Sequence, residues 1–366
     1  MTFPVPFRKH LLEMKPYVPG KPIEELEREL GIKNASKIAS NENPLGASPK
    51  VLEAIKEALP KIHRYPDGAA HNLSQSLAKH LGVRADQLIL GHGSNELIVR
   101  LGQMVLEKGD EVLFGDPGFF VYSSTATLCQ AVPKALPLKD FAHDLSLFRS
   151  ALTPKTRIVY IANPNNPTGT MIPLSQVEDF LKACPPTVLL VLDEAYYEYV
   201  DDPSYFEATK LLSKYPNLVI LRTFSKAFGL AGLRVGYGIA HPELVGVFQK
   251  MREPFNVNSL AMVAAEAALT DLAHVKKVAE LNKATRKTLY DGLKKMGLKP
   301  APTQTNFVYF EIDGANEFYQ QLLKKGIIVR PMGPKALRIT TGTEAETENF
   351  LKAFEAILMA NGARKV

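Results

Sequence analysis

Short, continuous apolar runs recur along this chain, and stretches with helical periodicity separate most of them. The runs are QLIL at 87–90, EVLF at 111–114, RIVYIA at 157–162, TVLLVLD at 187–193, LVILRT at 218–223 and RVGYGIA at 234–240. A run that is apolar at every position is typical of a strand that is buried on both faces. The pattern therefore predicts an α/β fold in which helices cover both faces of a mostly parallel central sheet.

The rest of the sequence predicts a smaller second unit and an N-terminal arm. Residues 1–45 are rich in proline and charge, and we expect them to form an arm that packs with the smaller unit. Residues 46–270 form the predicted large domain. Residues 271–366 form the predicted small α+β domain, with a long linking helix near 274–296. A chain of 366 residues is long enough for one large core and one smaller core.

Composition and charge narrow the class of partner. The net charge is +6, but lysine and arginine are scattered, without the basic runs that nucleic-acid-binding proteins show. We find no signal peptide and no apolar stretch long enough to span a membrane. Cys129 and Cys184 do not form a metal-spaced pair, and free thiols are typical of a reducing compartment. We expect a cytoplasmic protein that binds anionic small molecules, without nucleic acid, membrane or metal as partner.

The strongest local motif, TFSKAFGLAGLR, follows the predicted strand at 218–223. The carboxyl edge of a parallel sheet is where α/β proteins place ligands. A deprotonated Lys226 on this loop can form a Schiff base with an aldehyde. Ser225 and Arg234 can both bind a phosphate. An isolated Ser-Lys pair is more often a solvated surface feature, so the motif needs support from others.

Two further motifs follow neighbouring strands. Asp193 ends TVLLVLD, and a carboxylate at the end of a buried strand needs a partner, for which a protonated pyridine nitrogen is suitable. The alternative is an aspartate that caps the next turn. Asn166 lies in NPNNPTG after RIVYIA, where it can face the same crevice. By itself this motif indicates only a turn.

Two motifs suggest anion binding. GHGSNE at 91–96 lies between a strand and a helix, and free amides at a helix N-terminus bind phosphate. It is not a nucleotide fingerprint, because the third glycine is missing and no P-loop lysine follows. Arg338 lies in the otherwise apolar strand ALRITT, where a buried guanidinium must meet an anion or several acceptors. The alternative is an arginine that reaches solvent from an edge strand.

Taken together and in this order, the motifs resemble those of fold-type-I pyridoxal-phosphate aminotransferases, and most of all the histidinol-phosphate aminotransferases. The resemblance extends over nearly the whole chain, through PYVPGKP, ASNENPLGASP, RYPDG, NPNNPTGT, LDEAYYEY, TFSKAFGLAGLRVGY, PFNVNSLA and LRITTGT. It implies pyridoxal 5'-phosphate as the cofactor. It also implies a homodimer whose sites are shared across the interface.

The resemblance also implies roles for single residues. Three residues are implied to be catalytic. Lys226 bonds the cofactor and moves the substrate proton. Asp193 keeps the pyridine nitrogen protonated, and Tyr196 bonds the ring hydroxyl. The further cofactor contacts are Ser94, Asn95, Glu96, Phe119, Asn166, Ser225, Arg234 and Tyr65, the last reaching the cofactor of the neighbouring subunit. The substrate contacts are Arg338, Tyr17 and Asn41. Arg330 ends the strand IIVR, and we expect it to contact the substrate as well, because two neighbouring arginines can hold phosphate and carboxylate in turn. The alternative is that Arg330 is a surface residue at a strand end and Tyr17 an ordinary contact of the arm.

The implied reaction is reversible amino transfer in histidine biosynthesis, from histidinol phosphate and 2-oxoglutarate to imidazole-acetol phosphate and glutamate. One alternative is an aromatic amino-acid aminotransferase on the same scaffold. Another is a phosphate-recognising lyase similar to threonine-phosphate decarboxylase. A cofactor-binding regulator would need a DNA-binding module, for which the 45-residue arm is too short and too rich in proline.

Overall fold

The structure is a computed structural model that describes residues 5–362. Its strands are β1 (Ser36–Lys37), β2 (Leu88–Gly91), β3 (Glu111–Asp116), β4 (Val132–Pro137), β5 (Thr156–Ala162), β6 (Leu189–Asp193), β7 (Leu218–Thr223), β8 (Gly236–Ile239), β9 (Phe307–Glu311), β10 (Ile327–Ile328), β11 (Arg330–Pro331) and β12 (Ala336–Thr340).

The α-helices are α1 (Lys9–Leu12), α2 (Ile23–Leu30), α3 (Pro49–Ala58), α4 (His71–Leu81), α5 (Ser94–Val105), α6 (Phe120–Leu128), α7 (Leu145–Ala151), α8 (Leu174–Ala183), α9 (Pro242–Met251), α10 (Ser259–Leu269), α11 (Leu272–Lys295), α12 (Ala315–Lys324) and α13 (Glu344–Ala360). Short 3-10 helices lie at Leu59–Lys61, Ala85–Gln87, Tyr197–Tyr199, Ala208–Leu211 and Ala231–Leu233. In the described part of the chain, no helix is long and apolar enough to cross a membrane.

Seven strands form the central sheet in the order β2-β8-β7-β6-β5-β3-β4. The strands β7, β6, β5, β3 and β4 pair in parallel, and β8 pairs antiparallel with both β7 and β2. The predicted mostly parallel sheet is therefore confirmed. Because parallel strands share one direction, the loops after β5, β6 and β7 leave the sheet at the same edge.

Alternate residues of the central strands pack into different cores, which explains why these strands are apolar at every position. In β6, Leu190 and Leu192 belong to the core beneath α4, α8 and α10. Leu189 and Val191 belong to the opposite core, beneath α5, α6 and α9. Helices on both faces leave no solvated side on which polar residues would be favoured.

A smaller unit follows the central sheet along the chain. The strands β11, β12 and β9 form an antiparallel sheet in that order, and α12 and α13 contribute to its core. The helix α11 contacts both cores, since Val275 and Val278 pack beneath the central sheet and Leu289 and Leu293 pack in the smaller unit. At about 1.5 Å per residue, its 24 residues are long enough to connect them.

The segment before residue 45 contains more regular structure than an extended arm. The helix α2 buries Leu26 against Ile328 and Leu323 of the smaller unit, and β1 pairs in parallel with β10. The division into 1–45, 46–270 and 271–366 stays a prediction. Residues 1–4 and 363–366, at the ends of these predicted units, lie outside the described part of the chain.

Two strand predictions need correction. The run IIVR at 327–330 is two strands, because Ile327–Ile328 pairs with β1 whereas Arg330–Pro331 pairs with β12. The strand β4 was missed because it lies at the edge of the sheet and lacks an apolar run. Its two prolines, Pro133 and Pro137, are tolerated there because an edge strand need not donate every backbone hydrogen bond.

Candidate active site

Three predicted site residues meet at the carboxyl edge of the central sheet. Asn166 follows β5, Asp193 ends β6 and Lys226 follows β7, and these strands are neighbours in the sheet. A cavity of about 670 Å³ lies over this edge, and Asn166, Tyr196 and Lys226 line it. The smaller unit closes its other side with Arg330 and Arg338, and the segment 13–20 forms part of its rim.

The Lys226 amine lies in the cavity and is held by a weak contact to the protein. Its Nζ donates to the Ser40 carbonyl oxygen at 3.4 Å. Burial, together with the nearby Arg338, lowers the pKa of Lys226 to about 8. A larger fraction of the amine is therefore neutral near pH 7 than for an exposed lysine, and the neutral amine is the nucleophile and the base.

Asp193 is a buried carboxylate, and only 6% of its surface is exposed. It accepts a hydrogen bond from the Tyr122 hydroxyl at 2.7 Å and another from the Ala195 N–H at 3.2 Å. Burial raises the pKa of Asp193, although both hydrogen bonds oppose that shift. Among residues 5–362 no cationic side chain forms an ion pair with Asp193, so this buried carboxylate fits a ligand that presents a cationic N–H.

Tyr122 was missed by the sequence analysis. It lies in α6, in the run FFVYSSTATL, where nothing distinguishes it from an ordinary core residue. Its ring stacks on Tyr160 with centroids 4.5 Å apart, and this packing directs the hydroxyl towards Asp193.

Tyr196 and Asn166 each accept a hydrogen bond from a neighbouring side chain. The Tyr196 hydroxyl accepts a hydrogen bond from Asn41 Nδ2 at 2.8 Å. Asn166 Oδ1 accepts one from Arg338 Nη1 at 2.6 Å. Phe119 lies on the cavity wall, with its ring edge-on to Tyr122 at 5.7 Å.

The Arg234 guanidinium lies against the loop that leads into the N-terminus of α5, which makes this a candidate anion site. A Cβ at Gly93 would come within 2.5 Å of Arg234 Nη2, so only glycine allows this approach. The guanidinium donates to Ser225 Oγ at 3.3 Å and to the Ala231 carbonyl at 3.1 Å. Ser94 and Asn95 begin the twelve-residue helix, whose first amides attract an anion.

Two predicted contacts, Glu96 and Asn41, also make hydrogen bonds within the protein. The Glu96 carboxylate turns back to accept from the His92 N–H at 2.6 Å and from Asn256 Nδ2 at 3.2 Å, so it shapes the loop before α5. Asn41 lines the cavity with 1% of its surface exposed, and its side chain bonds Tyr196 and Thr340. The contact of Glu96 with the cofactor and that of Asn41 with the substrate stay predictions.

Arg330 and Arg338 are direct neighbours across the pair β11–β12. Arg338 donates to the Ala39 carbonyl at 2.9 Å and to Asn166, and its buried Nε has no partner among the described residues. Arg330 donates to the Val18 carbonyl at 3.0 Å and lies 5.6 Å from the ring of Tyr17. Two adjacent guanidiniums at one cavity wall favour an anionic ligand.

Tyr65 lies apart from these residues. It is 83% exposed and stacks on Phe255 with ring centroids 4.8 Å apart. It does not line the cavity of its own chain.

A buried ion-pair network below the site was also missed by the sequence analysis. Arg222, at the end of β7, donates to Glu194 at 2.8 Å and to Glu207 at 2.6 Å, and Tyr197 stacks against its guanidinium. The network joins the residue after Asp193 to the strand that leads to Lys226. It therefore holds the ends of β6 and β7 together, and removing one partner would leave an unpaired buried charge.

Comparisons with known proteins agree with this geometry. A family model described as aminotransferase class I and II matches residues 33–354. The histidinol-phosphate aminotransferase of Moorella thermoacetica is 46% identical over 357 residues, which cover 96% of this chain and 92% of that protein. That of Caldicellulosiruptor saccharolyticus is 42% identical over 357 residues, which cover 96% of this chain and 100% of that protein.

A solved structure gives the same result at the level of the fold. The histidinol-phosphate aminotransferase of Sinorhizobium meliloti, crystallised in complex with pyridoxal-5'-phosphate, superimposes with a TM-score of 0.90 at 32% sequence identity. The match covers 97% of this chain and 98% of that one. Since the family model and both sequence relatives cover most of the chain, this protein belongs to the aminotransferase class I and II family.

Proposed function

We propose that this protein is a pyridoxal-phosphate-dependent aminotransferase that converts histidinol phosphate and 2-oxoglutarate to imidazole-acetol phosphate and glutamate. The observation that carries the proposal is the pair Arg330 and Arg338, side by side in the cavity that contains Lys226. The names of the relatives from M. thermoacetica, C. saccharolyticus and S. meliloti support the same substrate.

The residues present fit pyridoxal 5'-phosphate. The buried Asp193 carboxylate suits a protonated pyridine nitrogen, and the α5 N-terminus with Arg234 suits the phosphate. Phe119 suits a stacking contact with the ring. When bound, the cofactor supplies an aldehyde that captures amines and a ring that accepts the electron pair left after proton removal.

Each residue of the site would then have a role that follows from its position. The Lys226 amine would hold the cofactor covalently and would move the proton at the substrate α-carbon. The negative charge of Asp193 would keep a proton on the pyridine nitrogen. Tyr196 and Asn166 would bond the ring oxygen, and Ser225 with Arg234 would hold the phosphate.

The substrate chemistry fits the charge of the cavity lining. Histidinol phosphate carries a phosphate and no carboxylate, whereas glutamate carries two carboxylates, so one site must hold different anions in turn. The lining contains four cationic side chains, Lys15, Lys226, Arg330 and Arg338, and one carboxylate, Glu13. The two N–H donors on one side of a planar guanidinium match the oxygen spacing of a phosphate and of a carboxylate.

A panel of amino donors tests the proposal. The cofactor-loaded protein should transfer the amino group of histidinol phosphate to 2-oxoglutarate, as followed by the absorbance change of the cofactor and by glutamate formation. Absence of this activity, with turnover of phenylalanine or tyrosine instead, would favour an aromatic aminotransferase. The observation that favours this second candidate is the aromatic wall formed by Tyr17 and Phe120, whose rings stack 4.8 Å apart beside the cavity.

The Arg330→Ala variant should discriminate between these two substrates. Loss of a charge-assisted contact costs about 1.5–3 kcal/mol, so kcat/KM for histidinol phosphate should fall roughly ten- to a hundredfold relative to that for an aromatic amino acid. Arg330→Lys should recover part of the loss, because it keeps the charge without the planar fork. The exposed Arg84→Ala is the matched control and should behave as wild type. Equal losses on both substrates would indicate a structural role for Arg330.

We also propose a homodimer with sites completed across the interface. Apolar side chains are exposed on one stretch of the large unit, with exposed fractions of 59% for Leu52, 46% for Leu59 and 59% for Ile62. Tyr65 follows them in sequence and stacks on the partly exposed Phe255. Several large apolar side chains exposed within 14 residues of sequence are typical of a protein interface.

An Ile62→Asp variant should dissociate the dimer. Burying an unpaired carboxylate at an apolar contact costs several kcal/mol, so we expect association to weaken by about a hundredfold or more, with loss of activity in the monomer. Sedimentation velocity across a concentration series measures this. Met359→Glu, at an exposed position on α13, is the control that should leave the dimer intact. A fully active wild-type monomer at working concentration would contradict the proposal.

We propose, finally, a reducing and cytoplasmic location. The support is chemical: both cysteines are free thiols, and burial raises the pKa of Cys129 and Cys184, which disfavours the reactive thiolate.

A further inference from the structure

Three consecutive residues between β1 and α3 each bond a different side chain of the site. The Ala39 carbonyl accepts from Arg338, the Ser40 carbonyl accepts from Lys226, and Asn41 Nδ2 donates to Tyr196. Ala39 and Ser40 make these contacts with their backbone, whereas Asn41 makes its contact with its side chain. The identity of residue 41 can therefore influence the chemistry, whereas the other two contacts need only the backbone.

The Asn41 amide is held in one orientation by Thr340. The backbone N–H of Asn41 donates to Thr340 Oγ1 at 2.9 Å, and the Thr340 hydroxyl donates back to Asn41 Oδ1 at 2.9 Å. The opposite amide orientation would direct two N–H donors at Thr340 Oγ1. The backbone of Asn41 has a φ of 57°, a left-handed conformation that asparagine and glycine tolerate better than other residues.

This orientation determines the direction of the hydrogen bond to Tyr196. Because Oδ1 faces Thr340, the Nδ2 donor faces the Tyr196 oxygen at 2.8 Å, and that oxygen accepts. A tyrosine hydroxyl has a single proton to donate. Among residues 5–362 this is the one hydrogen bond that the Tyr196 hydroxyl makes, so its proton stays available for an acceptor in the cavity.

We propose that Asn41 is a positioning residue that makes Tyr196 a hydrogen-bond donor towards the bound cofactor. The proposal rests on the proposed function, since the acceptor it requires is the ring oxygen of pyridoxal 5'-phosphate. Donation to that oxygen stabilises its deprotonated form. Asn41 therefore acts on the cofactor through Tyr196.

The other groups that face Tyr196 must be taken into account in any pH measurement. Lys226 Nζ lies 5.7 Å from the centre of the Tyr196 ring, and the charges of Arg338 and Asp193 also act on the tyrosine. Phe307 packs edge-on against the ring at 5.2 Å and carries no charge. None of these groups is altered by a substitution at residue 41, so they form a constant background.

The test measures the pH midpoint of the visible absorbance change in the cofactor-loaded protein. Tyr196→Phe removes the donor and should raise the midpoint by about one pH unit. Asn41→Gly should raise it by roughly half as much, because water can replace the amide without fixing its direction. Asn41→Asp should raise it more than Asn41→Gly, since a carboxylate accepts the tyrosine proton and draws it away from the cofactor.

Double variants separate the hydrogen bond from other effects. With Tyr196→Phe already present, Asn41→Gly should add no further shift, and Asn41→Asp should add only the effect of its charge. Asn34→Gly is the matched control, because Asn34 is an exposed asparagine with a φ of 66°, and it should titrate as wild type.

The outcomes distinguish this proposal from the proposed function. A smaller shift for the isosteric Asn41→Asp than for Asn41→Gly would show a packing role and overturn the proposal. Full additivity with Tyr196→Phe would overturn it as well. A wild-type chain that takes up no pyridoxal 5'-phosphate would overturn both proposals, whereas normal uptake with a wild-type midpoint in Asn41→Gly would overturn this one alone.

Discussion

A Lys226→Ala variant should fold normally and lose transamination by roughly 10⁴-fold or more, because the same amine bonds the cofactor and moves the substrate proton. The other lysine of the cavity lining, Lys15, lies on the rim segment 13–20 and not on the loop after β7 beside Asp193, so we do not expect it to replace Lys226. After borohydride reduction, mass spectrometry of the wild-type protein should find the cofactor attached to residue 226. The variant should show no attached cofactor.

Lys226→Arg separates nucleophilicity from charge. It keeps a cation near Ser40 but cannot condense with an aldehyde, so it should be as inactive as Lys226→Ala. Lys182→Ala, at an exposed position on α8, is the neutral control and should retain full activity. A Lys226→Ala protein that still transaminates and still shows the visible absorbance of bound cofactor would remove the basis of the proposed function.

The second large effect is expected at Asp193. Asp193→Asn should keep the cofactor and lose activity by about 100- to 1000-fold, because a neutral amide cannot stabilise the proton on the pyridine nitrogen. Asparagine has the same shape as aspartate, so the fold should be retained. Its Oδ1 can accept from the Ala195 N–H while its Nδ2 donates to the Tyr122 hydroxyl, which reverses the direction of that one hydrogen bond. Steady-state kinetics, with cofactor content measured by absorbance, gives the result.

Tyr122→Phe should reduce activity less than Asp193→Asn does. It removes the 2.7 Å hydrogen bond to Asp193 but leaves the carboxylate, so a loss of about three- to tenfold is expected. Near-normal turnover of Asp193→Asn with cofactor bound would show that Asp193 only ends its strand and caps the following turn.

Local signals in the sequence were sufficient for the central sheet and for the residues that follow its strands. A strand that is apolar at every position must be buried on both faces, and this predicts an α/β fold from the sequence alone. The strands β5, β6 and β7 lie where the runs predicted them, so the loops that carry Asn166, Asp193 and Lys226 were correctly expected at one edge. The edge strand β4 carries no such signal, because an exposed strand need not be apolar.

The tertiary structure alone decided which side chains act on one another. Tyr122 and Asp193 are 71 positions apart, Asn41 and Tyr196 are 155 apart, and neither pair has a sequence signature. The pairing of Arg330 with Arg338 depends on a register that the run IIVR does not reveal. The spacing of apolar residues along the sequence indicates which residues are buried, because side chains on one face of a helix or strand recur with its period. The direction of a hydrogen bond depends instead on how distant segments pack, which is why the sequence did not reveal that Asn41 donates to Tyr196.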